Sequence, residues 1–302
     1  MKVNICYDFM VTASGGGNQF LKSLKREFIK RGIYTDYHFE SDILLYNGHH
    51  QTNVVQHLKS KRPEMKFVHR LDGLQKLYNR PDDVRQDIMF DMNKFADASV
   101  FQSEWILKQF KKFEFPFDNT HRIIGNAVDP DVFTKTRSKS SSGKKRLVTT
   151  CWSPNVNKGF RYYKFLDQNL DFDKYEYHFI GNLMRGCVFD NIIYHPPMST
   201  SEIADFLPTC DVFITASKFE CLSNSLIEAL ACKVPAIVLD SGSNPEVINN
   251  SGLTFKDEES LLKGIERLFL EHERFVNNIC IPTIEDITDS YVQLFGELLN
   301  EK

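Results

Sequence analysis

The sequence predicts an α/β protein built from two parallel-sheet units. Short β-rich apolar runs alternate with longer helical patterns along the whole chain, as in successive βαβ units. A polar, charged stretch at 134–145 interrupts that alternation, and the pattern restarts after it. The length of 302 residues matches two units at about 150 residues each.

In the first half, 3–6 reads as a buried strand, Ser14-Gly15-Gly16-Gly17 as a turn, and 18–31 as a helix. Phe20, Leu21, Leu24 and Phe28 fall on one face of that helix, and Gly32 stops it. Further strands are expected at 43–46, 66–69, 99–101 and 122–124, with helical stretches near 52–59, 81–95 and 104–112. The segment 134–145 offers no core side chains and reads as a surface linker. The domains are therefore expected at 1–134 and 145–283. In the second half the expected strands are 146–150, 175–180, 192–194, 212–215 and 236–239. Parallel sheets bind ligands beyond the carboxyl ends of their strands, so two such sheets are expected to face each other across a cleft, with functional residues in loops after strands.

Composition narrows the function. With 37 Lys+Arg against 40 Asp+Glu and a net charge of −3, no basic field favours a nucleic acid. Seven cysteines form an odd set without CxxC, most of them in apolar segments, which reads as free thiols in a reducing compartment. No run of about 18 apolar residues exists, and the first residues lack a signal-peptide pattern. A cytoplasmic protein without a transmembrane segment is expected.

The most informative stretch is Glu220-Cys221-Leu222-Ser223-Asn224-Ser225-Leu226-Ile227-Glu228. It sets one carboxylate in a loop and another in the opening turns of a helix. The amides around Ser223 and Asn224 at that helix start suit a phosphate. A carboxylate accepts two hydrogen bonds from a vicinal diol, so Glu228 suits a ribose and Glu220 the hydroxyls of a sugar. A nucleotide sugar fits both. The alternative for Glu228 is purely structural, because Ser225-Leu226-Ile227-Glu228 matches a capping box.

Glu220 and Glu228 frame a Glu-x7-Glu pattern followed by Ala229-Leu230-Ala231, Val234-Pro235-Ala236-Ile237 and Ser241-Gly242-Ser243-Asn244-Pro245-Glu246. Upstream stand Asn126-Ala127-Val128-Asp129 with Phe133, and Lys158-Gly159-Phe160. Together these resemble the retaining GT-B glycosyltransferases of family 4 over nearly the whole chain. The resemblance implies two Rossmann-like domains, a donor held mainly by the second and an acceptor received mainly by the first. A last helix, about 284–302, would complete the first domain. It also implies that Glu220 contacts the donor sugar, Glu228 the ribose and Lys158 the diphosphate.

Charge that builds on a leaving diphosphate needs a metal, cationic side chains or backbone dipoles. Lys158, the helix start near Ser223 and the amides of Gly15, Gly16 and Gly17 offer these without metal. The glycines lack the spacing of a dinucleotide fingerprint, and a flexible connection explains them equally well. Relatives of this kind commonly carry an Arg five residues before the Lys; here Ser153 stands there, and Cys221 replaces the commoner Gly. Ser153, Cys221, Leu222, Ser223 and Asn224 complete the expected donor contacts.

The run His69-Arg70-Leu71-Asp72 ends a strand. His69 resembles the histidine that such enzymes hold near the reacting sugar. Asp72 is a candidate for the acceptor hydroxyl and Arg70 for a phosphate, with a structural ion pair as the alternative for both. His49-His50 and His57 show no ligand set in sequence, and Asp129-Pro130-Asp131 reads as a turn, so neither metal nor cofactor is expected. His195-Pro196-Pro197-Met198 suits either a nucleotide base or a rigid turn. Tyr291, Leu294, Phe295 and Leu298 form an apolar helical stripe.

The function expected is that of a retaining hexosyltransferase moving a sugar from a UDP- or GDP-linked donor to an acceptor hydroxyl on a glycan, lipid or small molecule. An epimerase or phosphorylase on the same scaffold is a second reading. A non-catalytic sugar-nucleotide-binding protein is a third, motivated by Ser153.

Overall fold

The computed structural model describes residues 1–10, 16–133 and 143–300. The chain forms two compact α/β units. One contains the amino-terminal residues, Gly17–Ala127 and the carboxy-terminal stretch from Pro282; the other contains Val128–Ile281. Most of the polar stretch 134–145 and one of the three glycines, Gly15, lie outside the described residues. The short helix Pro130–Phe133 precedes that stretch and packs with the second unit, since Phe133 joins a core that includes Leu226 and Leu230.

The first unit is built on a five-stranded parallel sheet in the order β1-β2-β3-β4-β5. Its strands are β1 (Val3–Cys6), β2 (Ile43–Asn47), β3 (Lys66–Arg70), β4 (Ala98–Phe101) and β5 (Thr120–Ile123). Alternate residues serve opposite layers. Val3 and Ile5 pack with Phe20, Leu24 and Phe28 of the helix Gly16–Lys30, while Cys6, Leu44 and Tyr46 face Val55 and Leu58. The helix Ile284–Asn300 lays Tyr291, Leu294, Phe295 and Leu298 into the first of these cores. Gly16 and Gly17 belong to the first turn of their helix rather than to the loop the sequence suggested.

The second unit carries a six-stranded parallel sheet of β6 (Lys145–Cys151), β7 (Tyr175–Gly181), β8 (Ile193–His195), β9 (Val212–Thr215), β10 (Ala236–Leu239) and β11 (Gly252–Phe255). The order is β11-β10-β9-β6-β7-β8. Strand order reverses between β6 and β9, the position at which open α/β sheets bind ligands. Strand β11 escapes sequence reading because it is a four-residue edge strand opened by a glycine. Gly252 is required there, since a Cβ would come within 2.1 Å of the Ala236 carbonyl oxygen. All seven cysteines are free. Among the described residues no helix is long and apolar enough to cross a membrane.

Candidate functional site

The loops leaving β6, β9 and β10 carry the second unit's site. The β6 loop runs from Trp152 to Gly159 and the β9 loop from Ala216 to Ser223. They are tied where the Lys218 amide donates to the Asn157 carbonyl at 2.7 Å. Gly159 adopts φ +77, and a Cβ there would lie 2.3 Å from the Ala216 carbonyl oxygen, so only glycine lets the two loops approach this closely. That approach places the Lys158 ammonium 2.5 Å from Oε1 of Glu220. The two side chains are 19% and 14% exposed, so the pair is shielded yet reachable.

Glu220 is held from a third loop as well. The Ser243 amide donates to the Glu220 carbonyl at 2.9 Å, and the Ser241 hydroxyl accepts from the Phe219 amide at 3.3 Å. Phe219 itself sits at φ +58, a left-handed geometry a bulky residue adopts only where its surroundings enforce it. Gly242, at φ +68, keeps its Cα against Glu220, where a Cβ would stand 2.6 Å from the Glu220 amide. Asn244 Nδ2 donates to the Ser217 carbonyl. Its Oδ1 and the Ser243 hydroxyl are buried without a hydrogen-bond partner, in residues that have no exposed surface.

The helix Asn224–Ala231 starts at Ser223, whose hydroxyl accepts from the Leu226 amide at 3.4 Å. This overturns the capping-box reading of Ser225 and Glu228. With Ser223 as the cap, Glu228 lies five residues into the helix, two beyond the position from which a side chain reaches back to a cap. Glu228 is half-buried, and burial pushes its carboxyl up to about 8. No cation is among the causes of that shift. A carboxylate kept in such surroundings without a capping role is costly to the fold, a cost characteristic of functional groups.

Ser153 lies at the exit of β6, where its hydroxyl accepts from the Asn155 amide at 3.3 Å. Its carbonyl accepts from the Cys151 thiol at 3.3 Å. Burial raises that thiol to about 11, which leaves it protonated and unsuited to attack. Cys221 and Leu222 are half-buried beside Glu220. Thus Ser153, Lys158, Glu220, Cys221, Leu222, Ser223, Asn224 and Glu228 all belong to these loops and the helix they feed. Gly16 and Gly17 open the helix after β1.

The first unit corrects two expectations. His69 is fully buried in β3. Its ring stacks on Tyr46 at 4.4 Å, Nε2 bonds the Gly48 carbonyl at 2.8 Å, and Nδ1 meets Asn93 Oδ1 at 3.0 Å. A carbonyl can only accept, so Nε2 carries the ring proton. Burial lowers the pKa of His69 to about 4, so the ring is neutral at physiological pH. With Nε2 committed to the Gly48 carbonyl and no exposed atom, His69 braces the sheet and does not offer itself to a sugar. Arg70 is equally buried. It donates to Asn47 at 2.5 Å and Asn126 at 2.7 Å, lies over the Phe20 ring and faces Asp72 at 3.4 Å. The structural alternative for Arg70 is therefore the correct one, and a phosphate has no access to it. Asp72 is the partly exposed member of the group, at 24%.

The structure also assembles what sequence inspection passed over. His49 and His50 follow β2, Asp72 follows the neighbouring β3, and one potential ligand atom from each lies within 4.8 Å of the others. A His-His pair after one parallel strand and an Asp after the next was the available signal. The His195 side chain is engaged within its own unit: its Nε2 meets His178 Nδ1 at 2.9 Å, and His178 continues to Glu176 at 2.7 Å.

Residues 187–279, all within the second unit, match the family Glycosyl transferases group 1. No curated protein matches the chain by sequence. Among solved structures, the chain is similar to Anabaena HepE in complex with UDP-glucose, with a TM-score of 0.73 and 12% identity over 98% of this chain and 99% of that one. It is similar to sucrose-phosphate synthase of Thermosynechococcus elongatus, with a TM-score of 0.70 and 14% identity over 95% and 79% of the two chains. A glycosyltransferase of Rickettsia africae aligns with a TM-score of 0.64 and 18% identity over 97% and 85%. The fold is that of the GT-B glycosyltransferases, two Rossmann-like α/β units. With the group 1 match, it supports a glycosyltransferase.

Proposed function

We propose that the protein is a retaining glycosyltransferase that takes a hexose from a nucleoside-diphosphate sugar and passes it to an acceptor hydroxyl. The observation that carries this reading is the shielded Lys158–Glu220 pair at the β6/β9 reversal, one helix start away from Glu228. Glu220 accepts hydrogen bonds from the donor sugar, Glu228 accepts from the ribose diol, and the diphosphate lies along the amides that follow Ser223. Donor binding loosens the Lys158–Glu220 pair, freeing the ammonium for the diphosphate oxygens.

As the glycosidic bond breaks, negative charge accumulates on the leaving diphosphate. Lys158, released from Glu220 by the donor, and the amides of the helix start would stabilise that charge. No covalent glycosyl-enzyme is proposed, since Glu220 is given to the sugar hydroxyls; retention would then require attack by the acceptor from the leaving group's own face, which is what the Glu-x7-Glu resemblance implies. Cations and amides suffice for the diphosphate, so the transfer is proposed to need no metal there. UDP is the favoured nucleotide, supported by the UDP-glucose bound to HepE. The first unit is proposed to receive the acceptor.

Isothermal calorimetry with UDP- and GDP-sugars, followed by nucleotide release in the presence of glycan, lipid and small-molecule acceptors, tests this. Micromolar UDP-sugar binding with acceptor-dependent UDP release is expected. Binding without release under any acceptor supports the non-catalytic reading that Ser153 motivates, and no binding by folded protein overturns both.

A further inference from the structure

We propose that His49, His50 and Asp72 form a binding site for one divalent cation of the zinc class on the first unit. The site does not depend on the donor reading, because it uses none of the second unit's residues. Parallel pairing of β2 and β3 places Asn47 opposite Arg70, and the Gly48 amide donates to the Arg70 carbonyl at 2.8 Å. The loops that follow the two strands therefore emerge side by side. Gly48, at φ +53, turns the chain sharply; a Cβ on it would stand 2.5 Å from Asp72 Oδ2. Glycine thus opens the space in which the carboxylate sits directly beside the two imidazoles.

One nitrogen from each histidine and one oxygen of Asp72 lie within 4.8 Å of one another. Donors around a tetrahedral cation with bonds of about 2.0–2.1 Å are about 3.3 Å apart, so side-chain rotations on the order of an ångström close the set. Two further features prepare it. His49 Nδ1 is buried with no hydrogen-bond partner, an orphan that a cation would satisfy. Asn47 Nδ2 donates to Asp72 Oδ2 at 2.9 Å, the kind of outer contact that orients a ligating carboxylate. The two imidazoles now stack at 4.4 Å, with Tyr7 against His50 at 5.3 Å, so binding requires the rings to turn until their in-plane lone pairs converge on the ion. Two imidazoles and a carboxylate select zinc-class ions over magnesium and calcium, which take oxygen ligands. Three protein ligands leave a fourth position for water or a substrate oxygen. Arg70, 3.4 Å from Asp72 Oδ1, opposes the cation's charge, but its other bonds hold it on Asn47 and Asn126.

The test is to strip the full chain with chelator and titrate it with Zn²⁺ and with Co²⁺. One equivalent bound at micromolar or tighter affinity is expected, with visible Co²⁺ ligand-field bands and Zn²⁺-induced shifts of the His49 and His50 imidazole resonances in the native protein. His50→Gln and Asp72→Asn should each weaken binding at least about tenfold, while His195→Gln, in the other histidine pair, leaves it unchanged. Absence of stoichiometric binding overturns the proposal. So does unchanged affinity in a His49→Gln/His50→Gln double variant, or loss of binding on His195→Gln alone. The imidazole resonances are read on the unaltered chain, so the result stands even where a variant fails to fold.

Discussion

Lys158 and Glu220, 62 residues apart in the chain, meet at 2.5 Å in a pocket of backbone turns that leaves each less than a fifth exposed. Two charges this enclosed are held at a desolvation cost, and removing one leaves the other uncompensated. Lys158→Met is expected to cut donor turnover by about 10²–10³-fold, the usual loss when one group facing a leaving anion is removed. Single-turnover nucleotide release measures it, and near-native turnover would assign the pair to stability alone.

Glu228 ties function to pH. Its carboxyl is at about 8 in the folded protein against an ordinary 4.5. Below about 4.5 it is protonated whether folded or not, and burial adds no ionisation penalty. Between 4.5 and 8 the unfolded chain releases the proton more readily, so this group's contribution to stability falls as pH rises and levels off above 8. Glu228→Gln is therefore expected to melt higher than the unaltered protein, with the gap widening from pH 5 to pH 8 in thermal scans. The same variant should lose the tightening of donor binding that ionisation brings as pH approaches 8, read by calorimetry.

Gly159→Ala and Gly242→Ala test the scaffold around the pair. Both glycines have positive φ, and a Cβ at either would collide with backbone. Each substitution is expected to cost about 1–3 kcal/mol in urea unfolding and to weaken donor binding more than an equally destabilising core substitution does. Gly17, whose Cβ would meet nothing within 4 Å, is the neutral control for stability.

Arg70→Leu should destabilise the first unit by about 3–5 kcal/mol, because Asp72, Asn47 and Asn126 lose a buried charged partner. A lower urea midpoint in the fluorescence or far-UV transition checks it. A change under 1 kcal/mol would mean that the guanidinium contributes little to this core.

Ser153→Arg would put a cation where relatives of this kind commonly have one. A charge-assisted bond to the diphosphate contributes roughly 1.5 kcal/mol net, so the donor Kd should tighten about tenfold by calorimetry. No tightening would mean that the diphosphate does not pass the β6 exit.

The α/β alternation, the positions of ten strands and the placing of Glu220 in a loop and Glu228 in a helix start were readable from residue order, whereas Lys158 joined them only through the family resemblance. Each rests on local rules: apolar runs, glycine punctuation and short motif spacing. What residue order could not supply was which groups end up inside and which neighbours they meet. His69 and Arg70 read as reactive groups at a strand end, yet β2, β4 and the loop holding Asn126 close over them. Ser225 read as a helix cap until the fold of the β9 loop moved the start to Ser223. His49, His50 and Asp72 are unremarkable apart and converge only because β2 and β3 lie side by side. Burial and convergence depend on contacts between residues distant in the chain, and these have no signature in a local stretch of it.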